Sequence, residues 1–226
     1  MSDPARLDLH VHSTYSPDSS LSIESIIGRL AYHGLRGFAL TDHNTLRGHA
    51  ELADLRAKHS AYLLLPGVEV STSDGHLLAF GVAQVPPVRR PVAETIEWVR
   101  AHGGEAVPAH PFRWSHGIGR RRIESVDVRA IETRNGHNSE IANLRAEEVA
   151  ARRNLGATGG SDAHALRDLG RAYTEFDDSV ASVDDLLEAI RRGRTAANGK
   201  SMPVGGRIRL AVRTGLLRAG RGFRPI

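Results

Sequence analysis

Cysteine is absent from this chain of 226 residues, and aromatic residues make up only 5% of it. The lack of thiols excludes disulfides and thiolate metal sites, and it leaves the redox compartment undetermined. So few aromatic side chains argue against a protein that reads nucleobases by stacking. Apolar runs stay far short of the ~18 residues that predict a membrane span. The start, MSDPARLDLH, lacks the charged-then-apolar order of a signal peptide, so a cytoplasmic protein with no membrane partner is expected.

Acidic residues are missing from one part of the chain, the stretch from Gly193 to the C-terminus. This stretch holds eight Arg and Lys residues, and removing them from the net charge of +4 leaves residues 1–192 at −4. We therefore predict a domain of residues 1–192 followed by a basic Gly- and Arg-rich extension of residues 193–226. The extension could steer a polyanion such as a short nucleic acid, but a solvated or packed extension is the favoured interpretation.

Short apolar runs alternate with segments of helical spacing along the first 192 residues. Strands are predicted at residues 7–11, 37–40, 63–70, 76–82, 106–109, 129–133, 157–161 and 172–176. Helices are predicted at residues 22–33, 45–59, 91–102, 139–155 and 182–192. This alternation favours an α/β fold with parallel strands covered by helices. Seven or eight strands in a chain of this length suit one closed or nearly closed barrel.

Histidine occurs 12 times, and many of these residues lie at the ends of predicted strands. Together with neighbouring carboxylates they form the set His10, His12, Asp42, His43, Glu69, His76, His110, Asp162 and His164. In a parallel α/β barrel the carboxyl ends of the strands converge on the face that holds the active site. His10 and His12 share one face of their strand, and imidazoles with carboxylates are ligands for Zn, Mn and Fe. The set therefore predicts a metal centre, with His116 and His137 as possible contacts from nearby loops.

Six segments, in this order, are similar to the motifs of one known family. They are DLHVHSTYSPDSSLS (8–22), LTDHNT (40–45), PGVEVS (66–71), GHLLAFG (75–81), AHPF (109–112) and GSDAH (160–164). The chain resembles the PHP family, named after its members in bacterial DNA polymerases and histidinol phosphatases. The resemblance implies a single-domain, distorted (β/α)7 TIM-like barrel. The compact gap between His110 and Asp162 resembles that of the small stand-alone members. The stretch 77–109 lacks the large insertion of some nucleotide-acting members, so their substrate does not transfer directly to this chain.

The resemblance also implies the ligands of two or three divalent ions, which would be Mn, Zn or Fe. The nine implied ligands are His10, His12, Asp18, His43, Glu69, His76, His110, Asp162 and His164. The implied grouping places one ion on His10, His12, Glu69 and Asp162, a second on Glu69, His76 and His110, and a third on Asp18, His43 and His164.

A multinuclear centre of this kind suits hydrolysis of phosphate esters. We expect a metal-activated hydroxide to attack the phosphorus of a phosphomonoester or small nucleotide. Arg113 and Arg134 are the predicted phosphate contacts, with surface ion pairs as the alternative. Asp42 is predicted to orient a ligand imidazole or, less favoured, to protonate the leaving group. Glu132 could line the pocket or pack at the edge of the core.

Two other functions remain open on the sequence alone. One is an exonuclease acting on short oligonucleotides, for which the basic extension would supply electrostatic attraction. The other is a non-catalytic, metal-stabilised module that docks a partner through the extension. No feature of the sequence indicates an obligate protein partner.

Overall fold

Two β-sheets organise the part of the chain that the computed structural model describes, residues 4–177 and 180–221. The strands are β1 Ala5–Val11, β2 Gly37–Leu40, β3 Leu63–Ser71, β4 His76–Phe80, β5 Glu105–Pro108, β6 Ala130–Asn135, β7 Gly156–Gly160, β8 Ala172–Phe176 and β9 Ala196–Gly199. The larger sheet has seven strands in the order β5-β4-β3-β2-β1-β8-β9, and β6 pairs with β7 in the smaller one. The predicted α/β class is confirmed, in the form of a curled sheet with helices around it.

Seven α-helices accompany the strands in the described ranges. They are α1 Ile23–Leu30, α2 His49–Lys58, α3 Val92–Ala101, α4 Arg120–Ser125, α5 Glu140–Arg153, α6 Val183–Arg191 and α7 Val204–Gly220. Helix α1 shows why the local sequence folds in this way. The Ser22 side chain accepts a hydrogen bond from the N–H of Ser25, and four apolar residues of the helix face the core. Gly34, with a φ of 64°, ends the short 3-10 turn that follows.

The expected parallel arrangement of strands holds only in part. Strands β1, β2 and β3 are parallel to one another, as are β6 and β7. However, β4 runs antiparallel to both β3 and β5, and β8 runs antiparallel to both β1 and β9. For β3 and β4, the reason is the length of the connection. Only residues 72–75 separate β3 from β4, whereas a parallel crossover needs a dozen or more residues.

The two sheets meet at the carboxyl end of β1. The N–H of Asp162 donates to the carbonyl of His10 (2.7 Å), and the N–H of His12 donates to the carbonyl of Ala163 (3.1 Å). Gly160 makes this approach possible, because a Cβ at that position would lie 2.3 Å from the Cβ of His10. Residues that follow β7 are thereby held beside the end of β1.

The C-terminal part of the chain is partly built into the fold. Strand β9 lies beyond the predicted boundary at residue 192 and pairs with β8. We therefore propose that the domain extends at least to Gly199. Helices α4 and α7 and strand β9 were not predicted, and α2 begins four residues later than expected. No helix within the described residues is long and apolar enough to cross a membrane.

Helix α7 is fixed to the domain at both ends. Before the helix, the buried residue Met202 donates its N–H to the carbonyl of Asn138 (3.1 Å). After it, the guanidinium of Arg221 donates to the carbonyls of Ser16 (2.8 Å) and Ser19 (2.9 Å). The helix thus spans the mouth of the site described below. Its outward face carries the exposed apolar residues Val204, Ile208, Val212 and Leu216.

Candidate metal centre

The carboxylate of Glu69 lies at the middle of a buried cluster of imidazoles. Five histidine side chains surround it, each with a ring nitrogen close to a carboxylate oxygen. The separations are 3.3 Å for His10 Nε2, 3.2 Å for His12 Nε2 and 3.0 Å for His43 Nδ1 to Oε2, and 2.8 Å for His76 Nδ1 and 2.9 Å for His110 Nε2 to Oε1. A buried carboxylate shared by several imidazoles is suited to bridging two cations.

Two aspartates extend the cluster on either side of this carboxylate. Asp162 Oδ1 lies 3.3 Å from His12 Nε2 and 3.6 Å from His164 Nδ1. Asp18 lies 3.5 Å from His43 Nε2 and 3.4 Å from His164 Nε2. The structure therefore brings all nine predicted ligands together, and all nine are buried.

The strands explain this convergence. Ligands on β1 and β3, and those just after β2, β5 and β7, lie at the carboxyl ends of these strands. His76 is the first residue of β4. Because β4 runs antiparallel, its start lies at the same edge of the sheet as the end of β3. His110 and Asp162 have left-handed backbones, with φ values of 29° and 58°, which non-glycine residues rarely adopt. Such conformations are concentrated at functional sites.

Hydrogen bonds to the second ring nitrogen orient three of the imidazoles. His10 Nδ1 donates to Glu132 Oε1 (3.0 Å), since a carboxylate can only accept. His12 Nδ1 lies 3.2 Å from Ser16 Oγ, and His164 Nδ1 lies 2.7 Å from a backbone carbonyl. In each ring the Nε2 atom is left as the lone-pair donor and faces the carboxylates. This arrangement is typical of metal-ligating histidines.

Asp42 acts on the ligands through serine side chains. Its Oδ1 accepts from the N–H of Ser13 (2.7 Å) and from Ser16 Oγ (2.7 Å), and its Oδ2 accepts from Ser13 Oγ (2.6 Å). Because the hydroxyl of Ser16 donates its hydrogen bond to Asp42, Ser16 Oγ can accept hydrogen bonds from His12 Nδ1 and from the N–H of His43 (3.0 Å). Asp42 is not among the residues that line the pocket. The geometry thus favours a role in orienting ligands over one in protonating a leaving group.

The two predicted arginines have different surroundings. Arg113 lines the pocket and donates to Asp162 Oδ2 (2.6 Å), Asn135 Oδ1 (2.7 Å) and Asn138 Oδ1 (2.9 Å). Arg134 does not line the pocket. Instead it forms ion pairs with two glutamates of α5, at 2.8 Å and 2.5 Å. The structure therefore does not bring Arg134 to the predicted site, because neighbouring carboxylates hold its guanidinium elsewhere.

The donor atoms fit bound cations. Several buried ligand atoms have no hydrogen-bond partner within the described part of the chain, namely His10 Nε2, His12 Nε2, His43 Nδ1, His76 Nε2, His110 Nδ1 and Asp18 Oδ1. Leaving such atoms unsatisfied costs about 1–3 kcal/mol each. Metal-ligand bonds would satisfy them. The groups His10–His12–Glu69, His43–Glu69–His76, His12–His43–His164 and His10–His110–Asp162 each bring three donor atoms within 4.8 Å of one another.

Several ionisable side chains of the cluster have strongly shifted pKa values. Burial alone would raise the pKa of Glu69, but the charges of His76, His10 and His43 hold it well below its ordinary value. Burial would lower the pKa of His12, yet the nearby carboxylates of Asp162 and Glu69 raise it to about 10. The carboxylates are therefore ionised at neutral pH, as metal ligands must be.

The sequence analysis named His116, His137 and Glu132 only as possible residues of the site, without a definite role. His137 lies close enough to Asp162 and His164 to form a further three-donor group, and the ring of His116 stacks on His76 with centroids 4.6 Å apart. His137 comes two residues after β6, so its position near a strand end was the available signal. Glu132 accepts from the N–H of His110 (2.6 Å) as well as from His10, which no local pattern indicates.

A pocket of about 570 Å³ opens above these ligands. Arg113, the fully exposed Trp114 and residues of α5 and α7 line its walls. Its volume is in the range that holds a small organic ligand. The pocket is therefore large enough to admit a small molecule to the cluster of ligands.

Comparison with known families matches two parts of the chain. The sequence model described as PHP domain matches residues 8–111, and the one described as PHP-associated matches residues 140–195. The chain belongs to the PHP family. Membership confirms the predicted enzyme class, a metal-dependent phosphoesterase, at the level of the family.

Individual relatives are more distant or cover less of the chain. An uncharacterized protein of Methanocaldococcus jannaschii is 27% identical over 194 residues, which are 80% of this chain and 75% of the relative. A 5'-3' exoribonuclease of Haemophilus influenzae is 41% identical over 68 residues, 30% of this chain and 24% of that enzyme. A 3',5'-nucleoside bisphosphate phosphatase of Chromobacterium violaceum is 38% identical over 87 residues, 37% of this chain and 30% of that enzyme.

Solved structures share the fold. PsfC from Pseudomonas syringae superimposes with a TM-score of 0.70 at 17% identity, covering 97% of this chain and 100% of PsfC. A two-domain protein from Bacteroides vulgatus, described as containing a predicted PHP-like metal-dependent phosphoesterase, gives a TM-score of 0.68 at 21% identity. The match covers 88% of this chain and 67% of that protein. At these identities the likeness concerns the fold.

Proposed function

We propose that the protein hydrolyses the phosphate ester of a small molecule or nucleotide, on a distorted (β/α)7 barrel. The observation that carries this proposal is the arrangement around Glu69, where five imidazoles meet one buried carboxylate. Buried ring nitrogens that lack a partner among the described residues support the presence of cations. Phosphate-ester hydrolysis is the chemistry for which clustered divalent ions are best suited.

The proposed ligands fall into three groups, two of which share Glu69. His10, His12, Glu69 and Asp162 would hold one ion, Glu69, His76 and His110 a second, and Asp18, His43 and His164 a third. Divalent Mn, Zn or Fe at such a centre would make water a strong nucleophile at neutral pH and neutralise phosphate charge. Because the three-donor groups overlap, a centre of two ions is also compatible with these residues.

Three other residues of the site contact the phosphate or orient the metal ligands. Arg113 holds Asp162 in place and presents the remainder of its guanidinium to the pocket. We propose that it contacts a non-reacting phosphate oxygen, since guanidinium groups bind phosphate in well-defined geometry. Asp42, through Ser16, fixes the proton of His12 on Nδ1. Glu132 does the same for His10.

The test is phosphate release from an aryl phosphate by the purified protein with added Mn. We expect activity in the wild type and its loss in His10→Ala. The control is His102→Ala, an exposed histidine at the end of α3. If the wild type with saturating Mn releases no phosphate from aryl, alkyl or nucleotide esters, the hydrolase proposal is wrong. A non-catalytic module would then be the remaining interpretation.

An exonuclease is the second candidate. It is favoured by the basic helix α7 at the pocket mouth and by the short match to an exoribonuclease. A labelled single-stranded oligonucleotide distinguishes the two candidates. Stepwise shortening at a rate comparable to monoester hydrolysis would support the nuclease, and an intact strand would exclude it.

A further inference from the structure

One face of α7 is part of the wall of the metal pocket. Residues of this face recur at the spacing of successive helical turns and line the pocket together with ligands such as Asp18 and His43. They are Arg207, Leu210, Ala211, Thr214 and Arg218. The outward apolar residues of α7 lie on a different side of the helix. The sequence of α7 therefore places two arginines toward the catalytic ligands.

These two arginines differ from their neighbours in having no partner. The Nε atoms of Arg207 and Arg218 are buried and make no hydrogen bond to any described residue. Neither side chain forms an ion pair within residues 4–177 and 180–221. By contrast, Arg213 donates to Ser20 Oγ (2.7 Å), and Arg221 donates to two carbonyls of the loop after β1. Thus Arg213 and Arg221 anchor the helix, while the guanidinium groups of Arg207 and Arg218 are free to bind a ligand in the pocket.

Free guanidinium groups in a pocket attract anions, and neither of these two forms an ion pair with an acid of the described residues. The segment from residue 193 onward contains no Asp or Glu. Arg145 of α5 lines the same pocket and adds a further positive charge. The phosphate that reacts must lie at the carboxylate–imidazole cluster, which is at the base of the pocket. Cations on α7 therefore face a part of the substrate other than the reacting phosphate.

We infer that Arg207 and Arg218, at the two ends of this face, each offer a binding position for a second phosphate group of the substrate, remote from the one that is hydrolysed. This inference rests on the proposed function and names its substrate class, an organic bisphosphate. The two residues are eleven positions apart, which is about 16 Å along a helix axis. Because they project from opposite ends of the pocket face, a long or flexible bisphosphate can reach one or both of them.

The experiment compares two substrates that differ only in the second phosphate, hexyl phosphate and 1,6-hexanediol bisphosphate. We expect the wild type, loaded with Mn, to have the higher kcat/KM for the bisphosphate. In Arg207→Gln/Arg218→Gln the ratio of the two kcat/KM values should fall by about tenfold or more, as expected for the loss of hydrogen bonds to a charged group. The single variants show how much each arginine contributes.

A matched control is Arg209→Gln, which removes the same charge from the same helix. Arg209 is exposed and does not line the metal pocket, so this variant should keep the wild-type ratio. Glutamine is a good helix former, and far-UV circular dichroism will verify that α7 is retained.

The outcomes separate the inference from the function on which it rests. If the wild type hydrolyses both esters without preferring the bisphosphate, or if the double variant keeps the preference, the inference is wrong and the hydrolase proposal stands. If neither ester is hydrolysed and aryl phosphate is also untouched, the proposed function fails, and the inference fails with it.

Discussion

Replacing Glu132 by Gln changes one atom of a buried side chain and is expected to reverse the proton position on a metal ligand. Glu132 accepts from His10 Nδ1 (3.0 Å) through one oxygen. Its other oxygen accepts from the N–H of His110 (2.6 Å) and from Asn135 Nδ2 (3.0 Å). A glutamine that keeps its oxygen toward His110 turns an NH₂ group toward His10. His10 Nδ1 must then accept, its proton moves to Nε2, and Nε2 no longer offers a lone pair to a cation.

The opposite orientation of the glutamine side chain also disrupts the hydrogen bonds around His10. It would retain the bond to His10 but turn an NH₂ group against two other donors, one of them a backbone N–H that cannot rotate. We expect metal affinity to fall by about 10–100-fold, the range seen for residues that orient ligands, or roughly 1.4–2.7 kcal/mol. The metal-free protein should also lose about 1–3 kcal/mol of unfolding free energy, because a buried donor or acceptor is left unpaired.

The assay is a competition titration of Zn or Mn against a chromophoric chelator, with urea unfolding of the metal-free protein alongside. Glu105→Gln is the matched control. Glu105 is also a buried glutamate, but it lies at the start of β5 and pairs with Arg191 (2.6 Å). This control should lower stability without changing metal affinity. Wild-type metal affinity in Glu132→Gln would refute the assignment of Glu132 as the orienting group.

Three further predictions follow from single contacts. Gly160→Ala would place a Cβ 2.3 Å from the Cβ of His10, and urea unfolding should show a loss of about 1–3 kcal/mol or more. Arg134→Gln should leave kcat/KM within about twofold of wild type, because glutamates hold that side chain outside the pocket; a large loss would restore Arg134 as a phosphate contact. Since the pKa of His12 is about 10, the metal-free imidazole is protonated at neutral pH, and metal binding must release this proton. Apparent affinity should therefore rise with pH, and calorimetry in buffers of different ionisation enthalpy should detect the release; the absence of any proton release would contradict it.

Eight of the nine ligands could be found from the sequence because each lies at the start or end of a predicted strand, whereas Asp18 was implied only by the resemblance to the PHP family. A ligand at the end of a strand, as in His10 and His12 of β1, is indicated by apolar runs and by the alternation of side chains. The rule also worked for His76, although the direction of its strand was predicted wrongly. An antiparallel β4 begins where β3 ends, so its first residue still reaches the same edge.

Residues that act through distant partners could not be found in this way. Glu132 orients His10 from a position 122 residues away, and only the tertiary fold joins them. Ser16, which links Asp42 to His12, resembles any serine of a polar loop in the sequence. Helix α7 was missed because its four glycines lower helix propensity, and because its pocket face carries arginines where an apolar stripe would be expected.

Two of the ligands have a strained backbone, which explains why the ligands should respond to mutation as a unit. His110 and Asp162 have φ values of 29° and 58°, and such conformations cost about 1–3 kcal/mol each. The N–H of His110 is held by Glu132 (2.6 Å), and the N–H of Asp162 by the carbonyl of His10 (2.7 Å). The bonds that maintain the strained backbone are thus made by His10 and by the carboxylate that orients it. Loosening either bond releases a ligand and disturbs His10 at the same time, so the effects of mutating Glu132 and Asp162 on metal affinity should not be additive.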